Sequence, residues 1–258
     1  MEVSGKVVVI TGGASGIGRA LAERIAADGA SAVIVADIDE AGANAVADRI
    51  GAVGRRVDVA DEADIARLID ETERQQGPID LFCSNAGILA IGGAEQSDDT
   101  WRRCIDVNVM AHVWAARHLV PRMLERGGGY LLNTASAAGL LIQIGSAPYT
   151  VTKHAAVGFA EWLAVTYGEQ GLRVSVLCPQ AVETKMTAGF EGGGVAGVDG
   201  MLAPEAVADA VIDGLRDERF LILPHPEVAE YERRKTADRD RWLTGMQRLQ
   251  ARFGDMLS

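Results

Sequence analysis

The 258-residue sequence predicts an α/β fold, a doubly wound sheet of seven parallel strands with helices on both faces, continued by a C-terminal helical extension. Three observations carry this. Short runs dense in Val, Ile and Leu alternate with longer amphipathic segments, as stacked βαβ units require. The first apolar run opens directly into a glycine-rich turn and a helix, Thr11-Gly12-Gly13-Ala14-Ser15-Gly16-Ile17-Gly18-Arg19-Ala20-Leu21. The second run ends on an acid, Asp37, 19 positions beyond Gly18.

Strands are expected at 6–11, 32–37, 53–57, 79–84, 129–134, 173–178 and 220–223. Their near-continuous aliphatic content suits strands covered on both faces. Helices are expected at 17–28, 40–50, 62–76, 99–125, 149–169 and 204–216. No linker or repeat divides residues 1–225, which read as one domain. Within it, residues 189–200 carry six glycines in twelve positions. Glycine loses the most entropy on ordering, so a flexible substrate lid is expected at about 186–202. Residues 226–258 read as a helical tail. Residues 230–258 hold seven Lys/Arg against five Asp/Glu, a balance of +2, which leaves −13 of the net −11 on residues 1–229. A basic amphipathic tail on an acidic body is expected to dock on that body or a neighbouring subunit, ahead of a membrane surface or a calmodulin-like partner.

The composition, 48% hydrophobic and 24% charged, is that of a globular chain, and the net charge of −11 opposes broad contact with phosphate backbones. Nucleic acid is therefore not an expected partner. Cys83, Cys104 and Cys178 are far apart with no C-x-x-C spacing, so neither a disulfide framework nor a metal site is expected, and a reducing cytoplasm is the simplest compartment. No leader pattern or apolar run of about 18 residues suggests export or a membrane span. His112, His118, His154 and His225 lack paired-ligand spacing and are assigned no chemistry.

The glycine turn suits a pyrophosphate. Glycines let the backbone approach phosphate oxygens, and the helix N-terminus behind them presents free N–H groups and a partial positive charge. Asp37 stands where a carboxylate would hydrogen-bond the adenosine ribose, and it would repel a 2′-phosphate. No Arg or Lys occupies Gly13, Ala14, Ser15, Ala36, Ile38 or Asp39, so NAD is expected over NADP. The fold expected is accordingly Rossmann-like.

Beyond this point the residues follow a more specific pattern. Thr11-Gly12-x-x-x-Gly16-x-Gly18, Asp58-Val59, Asn85-Ala86-Gly87 and Tyr149-x-x-x-Lys153 with Ser136 upstream resemble the short-chain dehydrogenase/reductase family over about residues 5–225. The resemblance implies cofactor contacts from Gly12, Ser15, Gly16, Ile17 and Gly18, from Asp37, Ile38, Asp58 and Val59, and from Asn85, Ala86 and Gly87. It implies further contacts from Tyr149, Lys153, Pro179, Val182 and Thr184, a catalytic tetrad of Asn108, Ser136, Tyr149 and Lys153, and a homodimer or homotetramer built on the helices at 99–125 and 149–169. Two features depart from the family pattern. Gln180 replaces the glycine usual after the sixth strand's proline, which either changes the turn or aims a side chain into the cleft, and the extension after Leu223 maps to no common family feature.

Tyr149 and Lys153, four apart in a helical segment, share one face. A phenol of reference pKa about 10 needs roughly 4 kcal/mol of phenolate stabilisation to act as a base near pH 7. Tyr149 is expected as general base for alcohol oxidation and general acid for carbonyl reduction. Lys153 is expected to bind the nicotinamide ribose and lower the Tyr149 pKa, Ser136 to bond the substrate oxygen, and Asn108 to hold a water linking Lys153 to solvent. Taken singly, each of these residues has a structural reading; their joint order behind a dinucleotide turn points to chemistry.

The substrate pocket is expected from Leu89, Ala138, Ile142, Gln143, Gln180, Met186 and Phe190, with Ile88, Ile91 and Leu140 nearby. These are mostly apolar and include no cation. The expected activity is NAD-dependent hydride transfer with a neutral, fairly hydrophobic secondary alcohol or ketone. The alternatives are an NADPH-dependent 3-oxoacyl or other carbonyl reductase and, outside enzymes, a catalytically idle dinucleotide sensor or scaffold.

Overall fold

The computed structural model describes residues 1–253. Strands β1 (Val7–Thr11), β2 (Ala32–Asp37), β3 (Val53–Arg56), β4 (Leu81–Ser84), β5 (Gly129–Thr134), β6 (Leu172–Leu177) and β7 (Leu221–Ile222) form one parallel sheet in the order β3-β2-β1-β4-β5-β6-β7. Each lies within or one residue from its expected span. The order reverses direction between β1 and β4, which opens a crevice at the C-terminal edge of the sheet.

Side-chain alternation along the strands builds two cores. Val7 and Val9 face one layer, made by α3 (Glu62–Gln76), α5 (Ala111–Glu125) and α6 (Ala147–Tyr167), whereas Val8 and Ile10 face the other, made by α1 (Gly16–Ala27), α2 (Glu40–Ile50) and α7 (Pro204–Arg216). Leu21 and Ile25 of α1 are fully buried, each a burial of about 1.5–3 kcal/mol. Polar caps fix the helix ends. Asp39 accepts from the Gly42 N–H at 3.0 Å to start α2, and Ser146 accepts from the Tyr149 N–H at 3.3 Å to start α6. The α6 helix therefore begins two residues before the expected position, and Tyr149 stands in its first turn.

The single helix expected at 99–125 is interrupted. After α4 (Asp98–Ile105) the chain makes a π-helical turn over Asp106–Met110 before continuing as α5. The wider turn lets buried Asn108 face Ile88 while Ala115 and Leu119 still face the sheet.

The glycine-rich segment expected as a lid forms a strap of consecutive tight turns with a 3-10 segment at Glu191–Gly197, in which Gly192, Gly193 and Gly194 take φ of 58°, 79° and 57°. Its base is pinned where the Glu183 N–H donates to Leu202 O at 2.9 Å and the Leu202 N–H to Ala181 O at 3.1 Å. The tail forms α8 (Glu227–Ala237) and α9 (Arg239–Phe253). Helix α8 docks on the body through fully buried Val228, and α9 lies against α8. The last five residues of the expected tail lie outside the described residues. Among the described residues no helix is long and apolar enough to cross a membrane.

Candidate active site

A cavity of about 410 Å³ occupies the crevice. Every residue expected to contact a cofactor lines it: Gly12, Ser15, Gly16, Ile17, Gly18, Asp37, Ile38, Asp58, Val59, Asn85, Ala86, Gly87, Tyr149, Lys153, Pro179, Val182 and Thr184.

The phosphate turn is fixed by close backbone approach. Gly12 has φ of 67°, and a Cβ there would stand 2.8 Å from the Ala86 Cα; a Cβ on Gly18 would overlap the Gly12 carbonyl oxygen. Ser15 begins α1 in an extended conformation without a side-chain cap bond, so the first N–H groups of that helix face the cavity end of the turn. Asp37 Oδ2 accepts from the Ala14 N–H at 3.0 Å and ties the end of β2 to the turn. The Asn85-Ala86-Gly87 loop is equally held. Thr11 Oγ1 accepts from the N–H groups of Asn85 (2.9 Å) and Ala86 (3.2 Å), and Thr134 donates to Asn85 Oδ1 at 3.1 Å. This cradle fits a dinucleotide.

At the other end stand Ser136, Tyr149 and Lys153, all lining the cavity. Gly139 makes this possible, because a Cβ there would overlap the Lys153 carbonyl oxygen; the 3-10 turn carrying Ser136 thus abuts α6. Lys153 is buried, donates from Nζ to Thr134 O at 3.0 Å, and stands 5.5 Å from the Tyr149 ring centre. Burial pushes its ammonium down to about 8. Asn108 lies behind the cavity wall. Its Oδ1 accepts from the Ile88 N–H and its Nδ2 donates to Ile88 O, both at 2.9 Å, with a further bond to Thr152 Oγ1 at 3.1 Å.

The Tyr149 hydroxyl departs from expectation. Burial pushes its pKa above the ordinary phenol value, hydrogen bonding with Ser136 works against that, and Lys153 is not among the groups lowering it. The ammonium's short bond is to the Thr134 carbonyl, so in this state desolvation outweighs it.

The substrate end is partly as expected. Leu89, Gln143, Gln180, Met186 and Phe190 line the cavity, with Ile88 and Ile91. Ala138, Leu140 and Ile142 do not. Ala138 is buried in the 3-10 turn with its N–H on Ser136 Oγ at 3.1 Å, Leu140 is buried behind it, and Ile142 is exposed. The expected pocket residues include no cation, but two others, Arg103 and Lys185, also line the cavity. Arg103 arrives from α4, which no local pattern ties to β3, and pairs with Asp58 at 3.2 Å. Lys185 is exposed at the mouth, beside Thr184. Gln180 resolves its question through the backbone. It is not among the residues with positive φ, and its N–H donates to His225 Nδ1 at 3.2 Å. Among the histidines, His112 is buried and pushed down to about 3, which keeps it neutral, and among the described residues no cluster of His, Cys, Asp and Glu forms a metal site.

Comparison with known proteins gives the family. Residues 6–192 match the family model described as short chain dehydrogenase. The chain is 38% identical over 237 residues to a 1-deoxy-11-beta-hydroxypentalenate dehydrogenase of Streptomyces exfoliatus, covering 88% of this chain and 86% of that one. It is 42% identical over 190 residues to a 2,5-dichloro-2,5-cyclohexadiene-1,4-diol dehydrogenase of Sphingobium indicum, covering 72% and 76%. A crystal structure of a short chain dehydrogenase/reductase from Burkholderia phymatum in complex with NAD superposes with a TM-score of 0.85 at 31% identity, covering 93% of this chain and 96% of that one.

Proposed function

The chain belongs to the short-chain dehydrogenase/reductase family of oxidoreductases acting on hydroxyl and keto groups, and we propose that it transfers hydride between NAD(H) and a neutral, fairly hydrophobic secondary alcohol or ketone. One observation carries the reading: Ser136, Tyr149 and Lys153 open into the same cavity as the phosphate turn. The turn, Asp37 and the Asn85-Ala86-Gly87 loop would hold the cofactor, which when bound supplies the hydride acceptor or donor.

The protein's own residues move and hold the proton. Tyr149 takes it from the alcohol during oxidation or gives it to the carbonyl oxygen during reduction. Ser136 bonds the same oxygen and stabilises charge developing on it. Lys153 would bind the ribose hydroxyls of the cofactor, and the positive charge of an oxidised nicotinamide, with the Ser136 hydrogen bond, would work against the burial that raises Tyr149. Asn108, locked to Ile88, orders a water behind Lys153. Support for NAD over NADP comes from the Asp37 carboxylate at the phosphate turn and from the pairing of Arg103 with Asp58. Exposed Val151, Trp162 and Val165 on α6, with Ile105 of α4, support a homo-oligomer built on these helices.

The test is a panel of hydrophobic secondary alcohols and matching ketones assayed with NAD and NADP in parallel. NAD-dependent turnover of cyclic or branched secondary alcohols is expected. A preference for NADPH with ketones would favour the carbonyl-reductase reading, a preference for hydroxy acids would give Lys185 a carboxylate to bind, and NAD affinity without turnover would favour the sensor reading.

A further inference from the structure

The tail is the part of the chain that the proposed chemistry leaves unused, yet it reaches the active site from three directions. At its threshold, His225 is buried, and its Nδ1 accepts the Gln180 N–H at 3.2 Å. Gln180 follows Pro179, whose carbonyl accepts from the Ala137 N–H at 2.9 Å and from Ser136 Oγ at 3.4 Å. Midway along α8, the Tyr231 hydroxyl donates to Asp199 Oδ1 at 2.8 Å, at the outer end of the strap.

The third contact is a buried ammonium. Lys235 is 8% exposed, and its Nζ donates to Leu140 O at 2.5 Å and Leu141 O at 2.9 Å, with His154 Nε2 at 3.2 Å. His154 Nδ1 lies 2.9 Å from Thr150 O. A carbonyl only accepts, so Nδ1 carries the ring proton and Nε2 presents a lone pair to Lys235. Burial, with Lys235 and Arg239 nearby, holds His154 below its ordinary value and keeps the ring neutral. An ammonium has three donors, and here each has an acceptor. The Trp242 ring of α9 stands 5.2 Å from the same nitrogen. A lysine buried at this cost is paired and saturated, as burial of a charge demands.

The three targets are the turn beside Ser136, the strap, and the segment joining the Ser136 turn to α6. We propose that His225 and α8 form a positioning element of the active site, in which His225, Tyr231 and Lys235 set the spacing of the three segments that bring Gln180, Phe190 and Gln143 to the substrate end of the cavity. None of the three is a catalytic residue; each acts through the backbone or side chain it holds. The inference rests on the dehydrogenase reading for its kinetic consequence and not for its structural one.

The test uses the full chain. Lys235→Met removes the three bonds while keeping length, Lys235→Arg restores donors to the two carbonyls, and Tyr231→Phe removes one hydroxyl at an exposed bond. With the best alcohol of the panel, Lys235→Met is expected to raise KM about tenfold with NAD affinity within about twofold of the parent, Lys235→Arg to recover much of the loss, and Tyr231→Phe to raise KM a few-fold. Hydrogen exchange of the intact protein gives a second readout that needs no substrate: faster exchange confined to 138–144 in Lys235→Met and to 197–202 in Tyr231→Phe. Unchanged KM together with unchanged exchange in these segments overturns the proposal. If the parent turns over no alcohol, the dehydrogenase reading fails while exchange still decides whether α8 holds the walls. If Lys235→Met does not fold, Tyr231→Phe decides alone.

Discussion

The two ends of the cavity are held by different means. At the cofactor end, β1, the phosphate turn and the Asn85-Ala86-Gly87 loop are locked by backbone contacts so close that Gly12 and Gly18 admit no side chain. At the substrate end, the Ser136 turn, the strap and Gln180 are spaced by single side chains arriving from 32 to 95 residues away in sequence, Tyr231 to Asp199, His225 to Gln180 and Lys235 to Leu140. The first arrangement is rigid because backbone meets backbone, whether locally, as Gly18 on Gly12, or across 74 residues of sequence, as Gly12 on Ala86. The second is adjustable, so the substrate end can change without disturbing the cofactor end.

Four substitutions or measurements probe the division. The largest effect is expected from Tyr149→Phe, which should lower kcat by about 10²–10⁴ while NAD affinity, measured by calorimetry, stays near the parent value. A parallel loss of NAD affinity would mean that the two ends are not separable. Next is Gly18→Ala, whose methyl would overlap the Gly12 carbonyl. A strain of about 1–3 kcal/mol should weaken NAD binding roughly 10–100-fold and lower Tm, and an unaltered Kd would remove the backbone argument for this end. Asp37→Asn should be milder, reducing the preference for NAD over NADP about tenfold in kcat/KM, since it removes one charged acceptor.

The last measurement concerns pH and stability and leaves the reaction aside. Burial holds Lys153 near 8 in the folded chain against an ordinary 10.5, so between those values the unfolded chain retains a proton that the folded chain has released. Stability should therefore gain from this residue as pH rises through that window. Urea unfolding of the parent and Lys153→Met across pH 7.5–10.5 should differ in slope by this contribution; parallel slopes would mean that the ammonium is not desolvated.

What could be read from the sequence follows the same division. Gly18, Asp37, Tyr149 and Lys153 announce themselves because their roles depend on neighbours within one βαβ unit or one helical turn, and Gly12 does so through the turn it shares with Gly18, although the backbone that excludes its Cβ, at Ala86, lies 74 residues on. Arg103 at Asp58, Lys185 at the cavity mouth and the Lys235 cluster do not, because their partners lie 45 to 95 residues away or follow from how the strap closes. Ala138 and Ile142 read as pocket residues from their place after β5. A tight 3-10 turn buries the one and turns the other to solvent. His154 has no paired-ligand spacing, and its partner Lys235 lies 81 residues on in the tail, beyond the reach of any local pattern. The π turn had no signal in apolar spacing, since Val107 and Val109 fit an ordinary helix as well.

That turn makes residue count, rather than residue type, the quantity that matters between Asp106 and Met110. The stretch contains one position more than a regular helix of its rise would use, so α4 and α5 run out of phase. Removing a single residue, half-buried Val109 for example, would return the run to one phase and swing everything beyond it by about 100°. Either the stripe of Ala111, Ala115 and Leu119 or the grip of Asn108 on Ile88 would then be lost. A variant of altered side chains here is expected to fold, whereas one shortened by a residue is not.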